Sequence, residues 1–174
     1  VYDLQKSITP LVNFVDLLTN WYIRRSRRRF WKSENDNDKL QAYYTLYTVY
    51  LELSKLLAPF IPFVTETIYQ NLSVGHIKDS KESIHLCDIP EYDDNSRDLV
   101  LEKEMDIIRI TVSLGRSLRT ANQLKVRQPL KELFFVCSDK ENQDFILKNS
   151  ELICEELNVK KITHVKNERD LVNI

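Results

Sequence analysis

Apolar residues recur at helical spacing along most of this 174-residue chain. The first such series consists of Leu11, Phe14, Val15, Leu18 and Tyr22. Its i, i+3, i+4 pattern predicts a helix over residues 11–32, with Pro10 near the start, where a missing N–H costs little. Because this helix is apolar on nearly every side up to Ile23, we expect it to be buried in a bundle.

Three more periodic runs predict helices over residues 38–58, 62–72 and 97–121. Pro59 ends the first of these runs and Pro62 can start the next, so the two helices should pack as neighbours. Asn95 or Ser96 is expected to cap the helix at 97–121. Residues 73–96 are rich in Asp, Ser and Asn and predict a loop. Together these elements predict a bundle of four to five helices.

The hydrophobic period changes after residue 121. Residues 132–137 and 159–165 predict short strands, and between them we expect helices reaching about residue 149 and covering 150–157. Ser138 and Glu141 fit a capping box for the first of these helices. We therefore expect two domains, a helical bundle at 1–122 and a small α/β appendage at 123–174. Two strands make a poor sheet, so the appendage is expected to be incomplete.

The composition argues against several classes of function. Two glycines leave little room for a Gly-rich nucleotide loop. Cys87, Cys137 and Cys154 form no close pair, and no Cys/His set has metal-ligand spacing, which predicts no metal site and suits a reducing cytoplasm. No apolar run is long enough for a membrane span. Since the chain begins at Val1 rather than Met, we expect it to be part of a longer protein.

Positive charge is concentrated at residues 20–32, which hold both tryptophans and six of the 25 Lys and Arg residues. At 100° per residue, one helix face carries Trp21, Arg24, Arg25, Arg28 and Lys32, while the other carries Tyr22, Ile23 and Phe30. A row of guanidiniums can bind successive phosphates, and a tryptophan can stack on a base. A solvated helix end explains the same cations, because the helix dipole favours them there. These residues alone leave both interpretations open.

Lys125 and Arg127 form a second basic patch at the start of the appendage. The patch could form a wall of a nucleic-acid groove, or the two cations could flank a buried Val126. Arg116 and Arg119 could extend the positive surface, although solvated helix faces explain them equally well.

Four segments resemble one known family. The pair of motifs NWYIR at Asn20–Arg24 and RRRFW at Arg27–Trp31 looks like the anticodon-binding helical domain of class I isoleucyl-tRNA synthetases, in particular their eukaryotic-like branch. LLAPFIPFVTE at Leu56–Glu66 resembles a corner that the isoleucine, valine and leucine enzymes share. SIHL at Ser83–Leu86 fits the family, and LKVRQPL at Leu124–Leu130 favours the isoleucine enzymes.

The resemblance implies a mainly α fold, namely the anticodon-binding bundle of class Ia synthetases with its α/β appendage. It also implies binding of tRNA(Ile) at the anticodon stem and loop. The residues that match this role are Trp21, Arg24, Arg25, Arg28, Lys32, Lys125 and Arg127. The parent would be a monomeric cytoplasmic enzyme whose catalytic and editing domains lie elsewhere in its chain.

The His-Ile-Gly-His type signature and the Lys-Met-Ser-Lys-Ser type loop of class I enzymes are missing from this sequence. We therefore expect no catalytic residue and no cofactor here, although the parent would use ATP and Mg²⁺. Two alternatives stay open, a helical module that binds another protein and the equivalent domain of a valyl- or leucyl-tRNA synthetase.

Overall fold

The computed structural model describes residues 3–32 and 36–167. These residues form two compact units, which divide between Tyr92 and Asp93. The helices of the first unit are α1 (Leu4–Leu17), a π-helical turn (Leu18–Ile23), α2 (Arg24–Lys32), α3 (Asp36–Leu57) and α4 (Pro62–Leu72). The second unit contains α5 (Leu99–Ala121), β1 (Leu133–Phe135), α6 (Lys140–Lys148), α7 (Ser150–Leu157) and β2 (Ile162–His164). Short 3-10 turns lie at Ile84–Leu86 and Asp94–Ser96. The predicted class, mainly α with a small α/β part, is confirmed.

The first helix begins earlier than predicted. The Asp3 carboxylate accepts a hydrogen bond from the Lys6 N–H at 3.0 Å and caps α1. Pro10 therefore lies inside the helix, not at its start, and the prediction for it is wrong. Because proline has no N–H, the carbonyl one turn earlier loses its helical donor.

A π-helical turn joins α1 to α2. A π turn closes its hydrogen bonds over five residues instead of four, so it holds more residues per turn than an α-helix. The faces before and after Leu18–Ile23 are consequently rotated relative to each other. A constant 100° per residue, which the sequence prediction assumed, does not hold across this segment.

The loop after α4 is held to the corner between α3 and α4. One carboxylate oxygen of Glu66 accepts from the Ser83 hydroxyl at 2.9 Å and from the Ile84 N–H at 3.0 Å. Hydrogen bonds from Gln70 first, then from Ser83 and Ile84, keep the pKa of Glu66 below its usual value. Ile84 is buried with Ala58 and Tyr69, so these contacts fix the middle of the loop against the helices.

Two helix caps differ from the predicted ones. Asp98, not Asn95 or Ser96, caps α5 by accepting from the Leu101 N–H at 2.9 Å. Asp139 caps α6 by accepting from the Glu141 N–H at 2.8 Å, so the predicted capping box on Ser138 is wrong by one residue. Aspartate is as good an N-cap as asparagine or serine, which is why composition alone did not separate these candidates.

The α/β part is a strand–helix–helix–strand unit. Strands β1 and β2 pair in parallel, with Leu133 opposite Ile162 and Phe135 opposite His164. The unit also includes α5, which packs against α6 and α7. The division into compact units after residue 92 thus differs from the expected domain boundary after residue 122.

A buried arginine holds the second unit together. The Arg119 side chain is only 4% exposed. Its guanidinium donates to the backbone carbonyls of Lys125, Gln128, Leu157 and Asn158 at 2.6–3.1 Å. Four fixed donors thus join the end of α5, the following turn and the end of α7, so Arg119 is structural and does not extend a positive surface. The Arg116 side chain is 41% exposed, and its guanidinium lies 2.6 Å from the buried carboxylate of Glu156.

Replacing Arg119 tests this arrangement. Arg119→Met keeps much of the side-chain volume but removes donors from four carbonyls, two of them at the end of α7. We expect the free energy of unfolding of this unit to fall by about 3 kcal/mol, because unmade buried hydrogen bonds cost about 1–3 kcal/mol each and partly overlap. Native-state hydrogen exchange of the α7 amides measures this loss of unfolding free energy.

The matched control is Arg109→Met on the same helix, whose guanidinium pairs with Asp106 one turn away. That exposed pair is worth about 1 kcal/mol or less. Equal losses in the two variants would contradict the structural role of Arg119.

Candidate nucleic-acid interface

One face of α2 packs on α3. Ser26 and Phe30 are buried, and the Phe30 ring lies 5.1 Å from the Tyr43 ring, centroid to centroid. Because Ser26 and Phe30 are four residues apart, they define the inner face of α2. This contact determines which residues of α2 face away from α3.

Arg29 ties α2 to α3 as well. Its guanidinium donates two hydrogen bonds to the Asp38 carboxylate, from Nε at 3.0 Å and from Nη2 at 2.7 Å. These hydrogen bonds lower the pKa of Asp38 and raise that of Arg29. Arg29 therefore stabilises the packing of α2 on α3, because its guanidinium is paired with Asp38.

The outer side of α2 carries Arg24, Arg27, Arg28 and Trp31, which we call the basic face. All four are exposed, and their i, i+3, i+4, i+7 spacing places them in one row. The predicted row shares only Arg24 and Arg28 with it. Trp21 lies within the π turn, before α2 begins, and Arg25 is partly buried against it, so neither belongs to the exposed row.

Trp21 and Arg25 contact each other. The Arg25 guanidinium carbon lies 5.9 Å from the centroid of the Trp21 ring, within the range of a cation–π interaction. Both side chains are partly buried. The sequence left open whether Trp21 contacts a ligand or packs in the bundle, and in the structure its ring packs under Arg25.

Arg24 is held at the start of the basic face. Its Nε donates to the Asn20 carbonyl one turn earlier at 2.9 Å. This bond fixes the direction of the side chain at the junction between the π turn and α2. Arg27 and Arg28 form no ion pair within residues 3–32 and 36–167. Their guanidiniums are the cations of this helix most available to an external anion.

Trp31 was not among the predicted site residues. It is 79% exposed, a large apolar surface for a single side chain on a charged face. The signal was present in the sequence, because Trp31 lies three and four residues after Arg28 and Arg27. The side chain of Lys32, which was predicted, lies outside the part of the chain that the structure describes.

The second predicted patch lies in the turn after α5. Lys125 and Arg127 are both exposed, and so is Val126, which the sequence alternative placed in the core. The backbone of this turn is held firmly. The Lys125 carbonyl accepts from Arg119 at 3.0 Å, and the Val126 carbonyl accepts from the Asn158 amide at 3.0 Å. The turn thus presents two cations on a fixed backbone.

Other kinds of site find no support among the described residues. No group of three or more His, Cys, Asp or Glu side chains there could hold a metal ion. No helix in that part of the chain is long and apolar enough to cross a bilayer. The three cysteines are free thiols.

A family model described as the anticodon-binding domain of tRNA ligase matches residues 1–134. The chain belongs to this family. The match covers all of the first unit and, in the second, α5 and the turn that carries Lys125 and Arg127. The exposed arginines of this anticodon-binding domain therefore lie within the region that defines the family.

Curated relatives of the domain are isoleucine–tRNA ligases. The chain is 51% identical over 173 residues to the enzyme of Protochlamydia amoebophila, covering 99% of this chain and 16% of the relative. It is 48% identical over 171 residues to that of Treponema denticola, covering 98% and 15%. It is 48% identical over 161 residues to the enzyme of Dehalococcoides mccartyi, covering 92% of this chain and 16% of the relative. The chain thus spans about one sixth of the length of these relatives, and they favour the isoleucine enzymes over the valine and leucine alternatives.

The Arg29–Asp38 pair predicts a measurable titration. The Asp38 carboxyl should titrate below its ordinary value of 3.8, because its charged form accepts hydrogen bonds from Arg29. The pair stabilises the fold at pH above that ordinary value, and this contribution is lost as the pH falls through the lowered pKa. Carbon-detected NMR of the side-chain carboxyl measures it.

Arg29→Gln should raise the pKa of Asp38 toward its ordinary value. Arg28→Gln, on the basic face, removes the same charge one residue away and should leave the titration nearly unchanged. An Asp38 pKa that does not respond to Arg29→Gln would mean that the pair is absent in solution.

Proposed function

We propose that this chain binds the anticodon arm of tRNA(Ile) as part of an isoleucine–tRNA ligase. The observation that carries the proposal is the basic face, an exposed row of three arginines and one tryptophan in an anticodon-binding domain. The identity of 48–51% to isoleucine–tRNA ligases over nearly the whole chain supports the choice of isoleucine.

Affinity comes mainly from arginine–phosphate contacts. A guanidinium can donate two parallel hydrogen bonds to one phosphate, and each neutralised phosphate releases condensed counterions. Arg24, Arg27 and Arg28 lie along one helix face, so they can follow successive phosphates of a strand. Such contacts fix the position of the RNA but do not read its sequence.

Trp31 supplies a second kind of contact. Anticodon bases are single-stranded and can be unstacked, and exposed aromatic rings are the usual surfaces on which such bases stack. Trp31 lies beside Arg27 and Arg28, which would hold the backbone next to the stacked base. Lys125 and Arg127 are proposed to bind phosphates from the second unit.

The domain positions the tRNA and carries out no step of the aminoacylation reaction. Binding the anticodon arm places the acceptor end of the tRNA at a distant catalytic site in the parent chain. That catalytic part would use ATP and Mg²⁺ to activate isoleucine, and an editing domain would accompany it. We propose that the parent acts as a monomer in the cytoplasm.

Salt dependence tests the arginine–phosphate contacts. If four phosphates are neutralised, log affinity for tRNA should fall against log salt with a slope of roughly −3 to −4. Arg28→Gln should make the slope shallower by roughly one unit. It should also weaken the binding of all tRNAs about equally. Fluorescence anisotropy with labelled tRNA at several salt concentrations measures both.

Lys78→Gln is the control, since it removes the same charge from the exposed loop after α4. It should leave the slope unchanged. A flat salt response, or a loss restricted to one tRNA in Arg28→Gln, would contradict the assigned role. Purification of the domain bound to a protein, with no tRNA binding at low salt, would instead favour an interaction module.

Replacing Trp31 tests stacking separately from charge. Trp31→Ala should weaken binding of the isolated anticodon stem-loop by about 1–3 kcal/mol, the usual value for one stacked base. Trp31→Phe keeps an aromatic ring and should retain most of the affinity. Neither change should alter the salt slope. Equal affinity of the Trp31→Ala and wild-type chains would exclude a stacking role.

A further inference from the structure

The strand β1 has one open edge. The Leu133 N–H donates to the Lys161 carbonyl at 2.9 Å, and the Phe135 carbonyl accepts from Val165 at 2.9 Å. Successive residues of a strand direct their backbone groups to opposite edges, so the N–H and C=O of Phe134 point away from β2. The sheet has two strands, so nothing within residues 36–167 pairs with that edge.

An apolar groove of about 310 Å³ runs beside β1. Its floor is the exposed stripe of α5 formed by Ile110, Leu114 and Leu118, and its wall is the continuous run 133–137. Residues 133–135 form β1 and residues 136–137 continue directly from it, so the groove follows the whole length of the strand. Its shape and apolar lining are those of a site for an extended peptide rather than for an isolated side chain.

We propose that a third strand, from a segment of the parent chain outside residues 1–174, pairs with β1 and fills this groove. The relatives leave ample chain for it, because this domain spans only 15–16% of their length. The segment is extended and has apolar residues at alternate positions facing Ile110, Leu114 and Leu118. The two-stranded sheet would become three-stranded, and α5 would be covered by the new strand.

A segment of the same parent fits better than a second copy of this domain. Two domains pairing through β1 would place two identical open edges together, but each groove would still need an apolar strand to fill it. The short β1 offers one outward N–H and C=O pair at Phe134, too little for a stable dimer on its own. The inference depends on the proposed function only in assuming a longer ligase chain.

Hydrogen exchange in the full-length parent, resolved by residue, tests the pairing. The Leu133 and Phe135 amides point to β2 and serve as internal references. With a third strand, the Phe134 amide should exchange within about tenfold of the rate of Phe135, because both are then hydrogen-bonded. An exchange rate at Phe134 that is a hundredfold or more above that of Phe135 would overturn the proposal.

A photo-crosslinking residue identifies the occupant. Placed at Leu118 or, separately, at Ile110 of the parent, p-benzoylphenylalanine should crosslink within one chain to a segment outside residues 1–174. The matched position Leu147 is exposed on α6 and does not line the groove, so it should not give this crosslink. Crosslinks between two chains, or none at both groove positions, would overturn the assignment.

Binding of tRNA by the same parent variants separates the two hypotheses. Leu118 and Ile110 are not on the basic face, so tRNA binding should persist whether or not the strand is found. Loss of the crosslink with normal tRNA binding would overturn the strand alone. A crosslink in a parent that does not bind tRNA would overturn the proposed function alone.

Discussion

A guanidinium stays charged at every physiological pH, so each arginine must be solvated, paired or fully hydrogen-bonded. This constraint sorts the arginines of the domain. Arg119 is buried and bonded to four carbonyls, and Arg29 is paired with Asp38. Arg27 and Arg28 lie at the surface of α2. The positions of these arginines in the sequence do not distinguish the three environments, whereas their burial and pairing in the structure do. Of these, only the surface arginines, Arg27 and Arg28, are placed to bind a polyanion.

Periodicity predicted the positions of the helices, because most of them bury apolar residues at helical spacing, such as Ile108 and Val112 of α5. Helix α1 differs: the expectation that it is buried in a bundle is wrong, since no residue of Leu4–Leu17 is buried. The corner at Pro59 and Pro62 and the two short strands on either side of a helix pair were also predicted correctly. The start of α1 was missed, because Pro10 was taken as an N-terminal signal although a proline can lie inside a helix. The cap of α6 was missed by one residue, because neighbouring Ser138 and Asp139 are both good caps.

The candidate site was predicted in part. Arg24 and Arg28 were placed on an exposed face from the sequence and lie on one in the structure. Trp31 was missed, although its spacing from Arg27 and Arg28 is visible in the sequence. Arg25 and Trp21 were placed on one face, and in the structure they contact each other. The role of Arg119 could not be predicted either, since its four acceptors are backbone carbonyls that carry no sequence signal.

The π turn also separates two structural requirements of one continuous helix, packing in α1 and exposure of the arginines in α2. The stripe that α1 presents to its own unit and the row that α2 presents to solvent need not lie on a single line along the axis. Substitutions that improve packing in α1 can therefore accumulate without turning the arginines away from solvent. Loss of one residue within Leu18–Ile23 would restore a regular α-helix and leave the direction of α2 nearly unchanged, because a π turn holds about one residue more than an α turn.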